Sequence, residues 1–302
     1  MVTASGGASA ARVVIVTGGS RGLGRVTTDR LAHLGYVVVL SYVDDQREAE
    51  STVEAVLDAD GSAVAVRANV DDDLDIERLF VETIELFGAV DAVVQAVRGR
   101  ITSARLTEAT LDEFDSLCRT NTRAAFIVNR EAARHVRSGG AIVNLSDSVS
   151  TSTLPRYGVN AAAAAAVDVM TWVLAHELRD RDITVNTVSV DVEQAHADGR
   201  VADVIAYLLS DEGHGITGHV IQLDDAYPAG GPLEARRQQA MVPNVAAARS
   251  EGSPIPPIHG DQHKGDIAND RSSWLRRLQF GRRDCRDACL SPPCAERATS
   301  RL

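Results

Sequence analysis

Apolar positions along this chain alternate between short continuous runs and stretches spaced three and four residues apart. Val13–Thr17 is an apolar run that ends in a glycine-rich turn. From Leu23 to Leu34 the spacing becomes helical, and Gly35 ends the segment. Tyr36–Tyr42 is apolar except for Ser41, which suits a strand buried on both faces. The alternation continues with a helix over Gln46–Ala59, a strand over Ser62–Ala68, a helix over Leu74–Phe87 closed by Gly88, and a strand over Val90–Ala96. Leu111–Arg137 reads as a long helix interrupted near Thr120. Strands then follow over Ala141–Ser146, Ile183–Val190 and His219–Leu223, with helices over Tyr157–Arg179 and Val201–Ser210.

Strands that alternate regularly with helices predict a mainly parallel sheet covered on both faces. The fold class is therefore α/β: a doubly wound, Rossmann-like single domain over residues 12–231. Residues 1–11 are small and polar and read as a flexible arm. After about Gly231 the periodicity fades and Pro, Gly, Arg, Ser and Gln dominate, so residues 232–302 read as a disordered, low-order basic tail.

Composition narrows the partners. Apolar residues make up 44% of the 302, enough for a real core. The formal net charge of −11 argues against nucleic acid or an anionic membrane as the main partner. Charge is unevenly placed: residues 233–302 carry net +4, and the rest carries −15. The basic residues are almost all arginine, and Lys264 is the single lysine. The N-terminal residues show no secretory pattern, and no run approaches the ~18 apolar residues of a membrane span. These features point to the cytoplasm, where Cys118, Cys285, Cys289 and Cys294 would stay reduced.

The turn after the first strand carries the first chemical signal. Gly18, Gly22 and Gly24 sit where a strand must pass sharply into a helix. Without side chains there, backbone N–H groups can approach a diphosphate, and the helix N-terminus favours its charge. The spacing is G-x3-G-x-G, with a strand before it and a helix after it. A tight turn that holds no ligand is the alternative.

TGGSRGLG (Thr17–Gly24) resembles the turn of the short-chain dehydrogenase/reductase family, closest to its 3-oxoacyl-carrier-protein-reductase-like members. The resemblance spans roughly residues 12–227 through landmarks in order: ANVDD (Ala68–Asp72), FGAVDAVV, Asn121, GGAIVNLSDS, LAHEL (Leu174–Leu178), ITVNTVS and LLSDEGHGITGHVIQLD. It implies binding of NAD(H) or NADP(H) and hydride exchange with a small carbonyl or alcohol. It places the dinucleotide against Thr17, Gly18, Ser20, Arg21, Gly22, Leu23, Gly24, Ser41, Tyr42, Asn69, Val70 and Gln95. It also implies a homo-oligomer, dimer or tetramer, formed through the Tyr157–Arg179 helix and the long helix before it.

Cofactor choice follows from charge. A carboxylate ending the second strand would grip the ribose hydroxyl of NAD and repel a 2′-phosphate. That neighbourhood reads Leu40-Ser41-Tyr42, and Arg21 can pair with a phosphate. NADP(H) is therefore favoured over NAD(H), although Asp44 and Asp45 follow closely and work against it.

The catalytic positions depart from the family. Its Ser-Tyr-Lys set aligns without gaps to Asp147, Asn160 and Ala164. The family tyrosine donates the proton, and its lysine lowers the tyrosine pKa and holds the nicotinamide ribose. Of the family's wider catalytic set, which the resemblance extends to an Asn in the long helix, Asn121 alone is retained. Asp147, if burial raised its pKa, or Tyr157, one helical turn early, or Ser148, are the remaining candidates. The alternative makes Asp147 a loop carboxylate and Tyr157 a packed residue at a helix start. The family's Asn-Asn-Ala-Gly after the fourth strand reads Gln95-Ala96-Val97-Arg98, so Arg98 is expected to crowd the adenosine side or meet a phosphate.

In the tail, His259, His263, Cys285, Cys289 and Cys294 lack the spacing of common zinc sites, and no metal is expected. Two functions remain open: an NADP(H)-dependent oxidoreductase with impaired chemistry, or an inactive homologue that binds nucleotide or a partner subunit.

Overall fold

The computed structural model describes residues 11–99, 101–147, 155–190 and 199–223. All lie within one unit, Met1–Met241. Residues 1–10 of the expected arm, Ser148, and the tail with its histidines and three of the cysteines, lie outside the described residues.

Elements alternate as the apolar pattern predicts. They are β1 (Val13–Thr17), α1 (Gly22–His33), β2 (Val37–Tyr42), α2 (Gln46–Asp58), β3 (Ser62–Arg67), α3 (Asp73–Phe87) and β4 (Val90–Gln95). Then come α4 (Leu111–Leu117), a π-helical turn (Cys118–Arg123), α5 (Ala124–His135), β5 (Val136–Asp147) and α6 (Gly158–Glu177). A 3-10 turn (Arg179–Arg181), β6 (Thr184–Val190), α7 (Gly199–Leu208) and β7 (Val220–Leu223) complete the described chain. The seven strands form one parallel sheet in the order β3-β2-β1-β4-β5-β6-β7. The chain reverses direction across the sheet between β1 and β4, and the carboxyl ends of those strands open a crevice where ligands bind in such folds.

Alternation within β1 shows why the sheet is covered twice. Val14 and Val16 join a core with Leu31 of α1, Val56 of α2 and Ile205 and Leu208 of α7. Val13 and Ile15 point the other way, to Ile76, Leu79 and Phe80 of α3 and Ile127 and Val128 of α5. Successive strand side chains face opposite sides, so an unbroken apolar run is needed only where both sides are buried. Each such side chain contributes roughly 1.5–3 kcal/mol on burial.

Local signals set most helix ends. Asp45 caps α2 by accepting from the Glu48 N–H, and Asp72 caps α3 by accepting from Leu74 and Asp75. Thr110 and Glu113 form a reciprocal capping box on α4. Gly88 takes the left-handed conformation that ends α3, at φ +86°.

Two expectations need correction, and the interruption near Thr120 is found and gains a form. The long helix ends at His135, because Val136 is already extended and pairs with Val90 of β4, so β5 starts five residues before Ala141. The interruption near Thr120 is a π turn, with the Thr120 hydroxyl donating to the Ser116 carbonyl at 3.0 Å. Finally, α6 is long and apolar enough by composition to cross a membrane. Here it packs on β5 and β6 and buries the polar residues Asn160, Asp168 and Thr171.

Candidate functional site

The turn from β1 to α1 is held from several sides. The Thr17 hydroxyl accepts from the Ala96 N–H at 3.0 Å, which ties β1 to the end of β4. The Ser41 hydroxyl accepts from the Gly18 N–H at 3.2 Å, and the Thr28 hydroxyl donates to the Gly19 carbonyl at 3.1 Å. The three glycines serve different needs. A Cβ on Gly24 would lie 2.2 Å from the Gly18 carbonyl oxygen, so that glycine lets α1 pack on its own turn. A Cβ on Gly18 would lie 2.8 Å from Val97 Cγ2. A Cβ on Gly22 would meet nothing within 4 Å and would project from a backbone at φ +54°. Unlike α2, α3 and α4, α1 has no side-chain cap and no acidic residue in its first turn. Its free N–H groups border a cleft of about 790 Å³. That volume and the uncapped helix end fit a dinucleotide diphosphate.

Gly18, Ser20, Arg21, Gly22, Leu23 and Gly24 line the middle of this cleft. Ser41, Tyr42, Asn69 and Val70 line one end. Arg98, Gly99, Thr120 and Asp147 line the other. Two expected contact residues lie elsewhere. Thr17 is fully buried with its hydroxyl spent on Ala96, and it does not border the cleft. Gln95 is buried and donates from Nε2 to the Val97 carbonyl at 2.8 Å, so it shapes the loop after β4 without facing the cleft. Arg21 is exposed and its Nε lies 3.2 Å from Glu48 Oε2, so a phosphate there would share the guanidinium with a carboxylate. Asp45 is spent on capping α2, whereas Asp44 borders the cleft.

Arg98 borders the cleft and has a partner within the protein. It crosses from the loop after β4 to the last residue of β5, where Nη1 donates to Asp147 Oδ1 at 2.6 Å. The side chains are 18% and 5% exposed, so this is a largely desolvated ion pair. Burial pushes the Asp147 carboxyl above its ordinary value, and the Arg98 charge and hydrogen bond pull it back only in part.

Asn121 lies in the π turn, and its Oδ1 accepts from the Gly99 N–H. It therefore anchors the loop that carries Arg98. Asn160 and Ala164 are both buried on α6. Both amide atoms of Asn160 lack a hydrogen-bond partner among the described residues. Ala164 borders a cavity of about 10 Å³ with Gln95, Asn121, Ser146 and Asp147, room for about one water molecule. Tyr157 sits just before the first residue of α6 and borders neither this cavity nor the cleft. The structure therefore brings Asn121 and Asp147 together and leaves Tyr157 apart.

Sequence reasoning noted Arg98 and Asp147 separately and missed that they pair. The available signal was two opposite charges at the carboxyl ends of neighbouring strands. It also missed Thr120 as a lining residue.

A family model described as enoyl-(acyl carrier protein) reductase matches residues 18–199. The chain is 31% identical over 259 residues to the short chain dehydrogenase claC of Passalora fulva, covering 85% of each chain. Among solved structures, a short chain dehydrogenase from Burkholderia cenocepacia in complex with NADP superposes with a TM-score of 0.65 at 29% identity, covering 70% of this chain and 96% of that one. A blue fluorescent protein from a metagenomic library in complex with NADPH superposes equally well, TM-score 0.65 at 27% identity, with the same coverage. Glycine turn, parallel strand order and these matches agree: the chain belongs to the short-chain dehydrogenase/reductase family.

Proposed function

We propose that this protein binds NADP(H) in the cleft above β1 and β4 and that its hydride transfer to carbonyls is impaired. The binding half rests on the uncapped α1 N-terminus and the open space over Gly22. Two related structures hold NADP and NADPH, which supports the cofactor class. When bound, a nicotinamide dinucleotide supplies or accepts a hydride. Gly22 and Leu23 would present backbone to its diphosphate, Asn69 and Val70 would flank the adenine, and Arg21 would favour a 2′-phosphate.

One observation carries the impairment: Asp147, at the position of the family serine, is tied to Arg98. Proton donation requires hydrogen-bond geometry before a suitable pKa. Asn160 has no acidic proton to give, Ala164 has no charge, and Tyr157 lies outside the cleft. Arginine holds its proton at any ordinary pH, so Arg98 offers charge without proton relay. The same observation favours a role as a nucleotide-binding regulatory or structural subunit.

We place the protein in the cytoplasm as a homo-oligomer, with residues 12–231 as its binding domain and 232–302 as a separate basic tail. Exposed Phe126 on α5 and Val169 and Val173 on α6 support association through those helices. Calorimetric titration with NADPH and NADH, run beside a panel of small carbonyls, tests the proposal. Binding without turnover is the expected result. Turnover lost on Asp147→Ala would restore an active enzyme, and the absence of binding would remove the cofactor claim.

A further inference from the structure

We infer that the Arg98–Asp147 pair closes the second half of the cleft, so that this site recognises the adenosine diphosphate moiety alone. Nucleotides that end at the second phosphate should then bind as tightly as the full dinucleotide. The inference rests on the reading of the cleft as a nucleotide site.

The geometry has three parts. A doubly wound sheet offers one mononucleotide half on each side of its switch point. Here the β1–β2–β3 side presents Tyr42, Asn69 and Val70 to the cleft. On the other side, Arg98 and Asp147 span the carboxyl ends of the paired strands β4 and β5 at 2.6 Å. A second mononucleotide would have to lie across that span.

The span is not free to swing aside. The loop carrying Arg98 is fastened at Ala96 to Thr17, at Val97 to Gln95 and at Gly99 to Asn121. A Cβ on Gly99 would lie 2.3 Å from Thr120 Oγ1, so the loop is seated on the π turn with no slack. Separating the pair would strand the Asp147 carboxylate, which is 5% exposed and has Arg98 as its partner among the described residues. Stranding a buried charge is costly, whereas the pair in place is satisfied.

Below the span the described residues offer little to grip a second ribose. Asn160 is buried, and the cavity beside Ala164 has room for about one water. The adenosine side and the uncapped α1 N-terminus therefore supply the recognition.

Calorimetry on the full chain decides it, comparing NADP+ with adenosine 2′-phosphate 5′-diphosphate and NAD+ with ADP. Each pair differs by the nicotinamide riboside. The expected result is a dissociation constant ratio below about 5 within each pair, and a dinucleotide preference above about 10 in Arg98→Gly/Asp147→Ser, which opens the span without stranding a charge. A wild-type ratio in favour of the dinucleotide above that limit overturns the inference while leaving the nucleotide site standing. So does a double variant whose ratio does not move. Failure of all four nucleotides to bind overturns the site itself. Should the double variant not fold, Asp147→Ser and the wild-type comparison decide.

Discussion

Arg98 and Asp147 answer one another across the ends of β4 and β5 at 2.6 Å. Either alone would be costly: a guanidinium without a partner at the bottom of a cleft, or a carboxylate with 5% of its side chain exposed. Together they are compatible with a stable fold. Arg98→Ala should therefore destabilise the protein by about 2 kcal/mol, and Arg98→Ala/Asp147→Ala by less, the difference being the stranded charge. Chemical denaturation of both variants measures it.

Burial raises the Asp147 pKa, and this has a consequence for stability against pH. Below the ordinary carboxylate value of 3.8 the group is protonated in both states and contributes nothing. As pH rises past that value, the unfolded chain releases the proton first and the native state retains it. Stability then falls until pH exceeds the raised native value. Relative to Asp147→Asn, the wild type should lose melting temperature across this window. A wild type that instead gains would show that the Arg98 attraction outweighs burial.

Gly22 and Gly24 should separate binding from folding. Gly24→Ala drives a Cβ to 2.2 Å from the Gly18 carbonyl oxygen, so the melting temperature should drop. Gly22→Ala meets no atom within 4 Å and strains only a backbone at φ +54°, at a cost of about 1 kcal/mol. Its Cβ enters the cleft, so NADPH affinity should fall by about tenfold or more while the fold survives.

Glu48 lies 3.2 Å from Arg21 and would compete with a 2′-phosphate placed there. Glu48→Gln should raise the preference for NADPH over NADH, and Arg21→Ala should lower it, each by about 3- to 10-fold for an exposed charge. Parallel titrations read the ratio.

Asn160 is buried with both amide atoms unpartnered among the described residues. Asn160→Val removes that penalty at small volume change and should stabilise the protein by about 1 kcal/mol. A loss of stability would show that the amide is satisfied by something the packing does not reveal.

Val169 is 49% and Val173 50% exposed on α6, and Phe126 is 51% exposed on α5. Val169→Glu/Val173→Glu should convert the proposed oligomer to monomer in light scattering with the fold retained. Unchanged mass would place any association elsewhere.

Much of the fold was legible in the chain because its signals are local. The unbroken apolar run of β1, the cap at Asp72 and the glycine after α3 act within a few residues of themselves. The glycine turn was equally local, since backbone conformation and close approach at Gly18, Gly22 and Gly24 depend on the absence of a Cβ. The start of β5 at Val136 was not, because its pairing with Val90 is made across the sheet.

What the sequence by itself determined was therefore the alternation of elements, the parallel sheet they imply and the glycine turn. Tertiary structure alone decided which charges meet at the carboxyl ends of β4 and β5. Arg98 and Asp147 are 49 residues apart. Only the parallel pairing of β4 with β5 brings their side chains into contact. Their charges became a closure across the cleft because both lie at strand ends that open on the same crevice, where little solvent reaches to screen them.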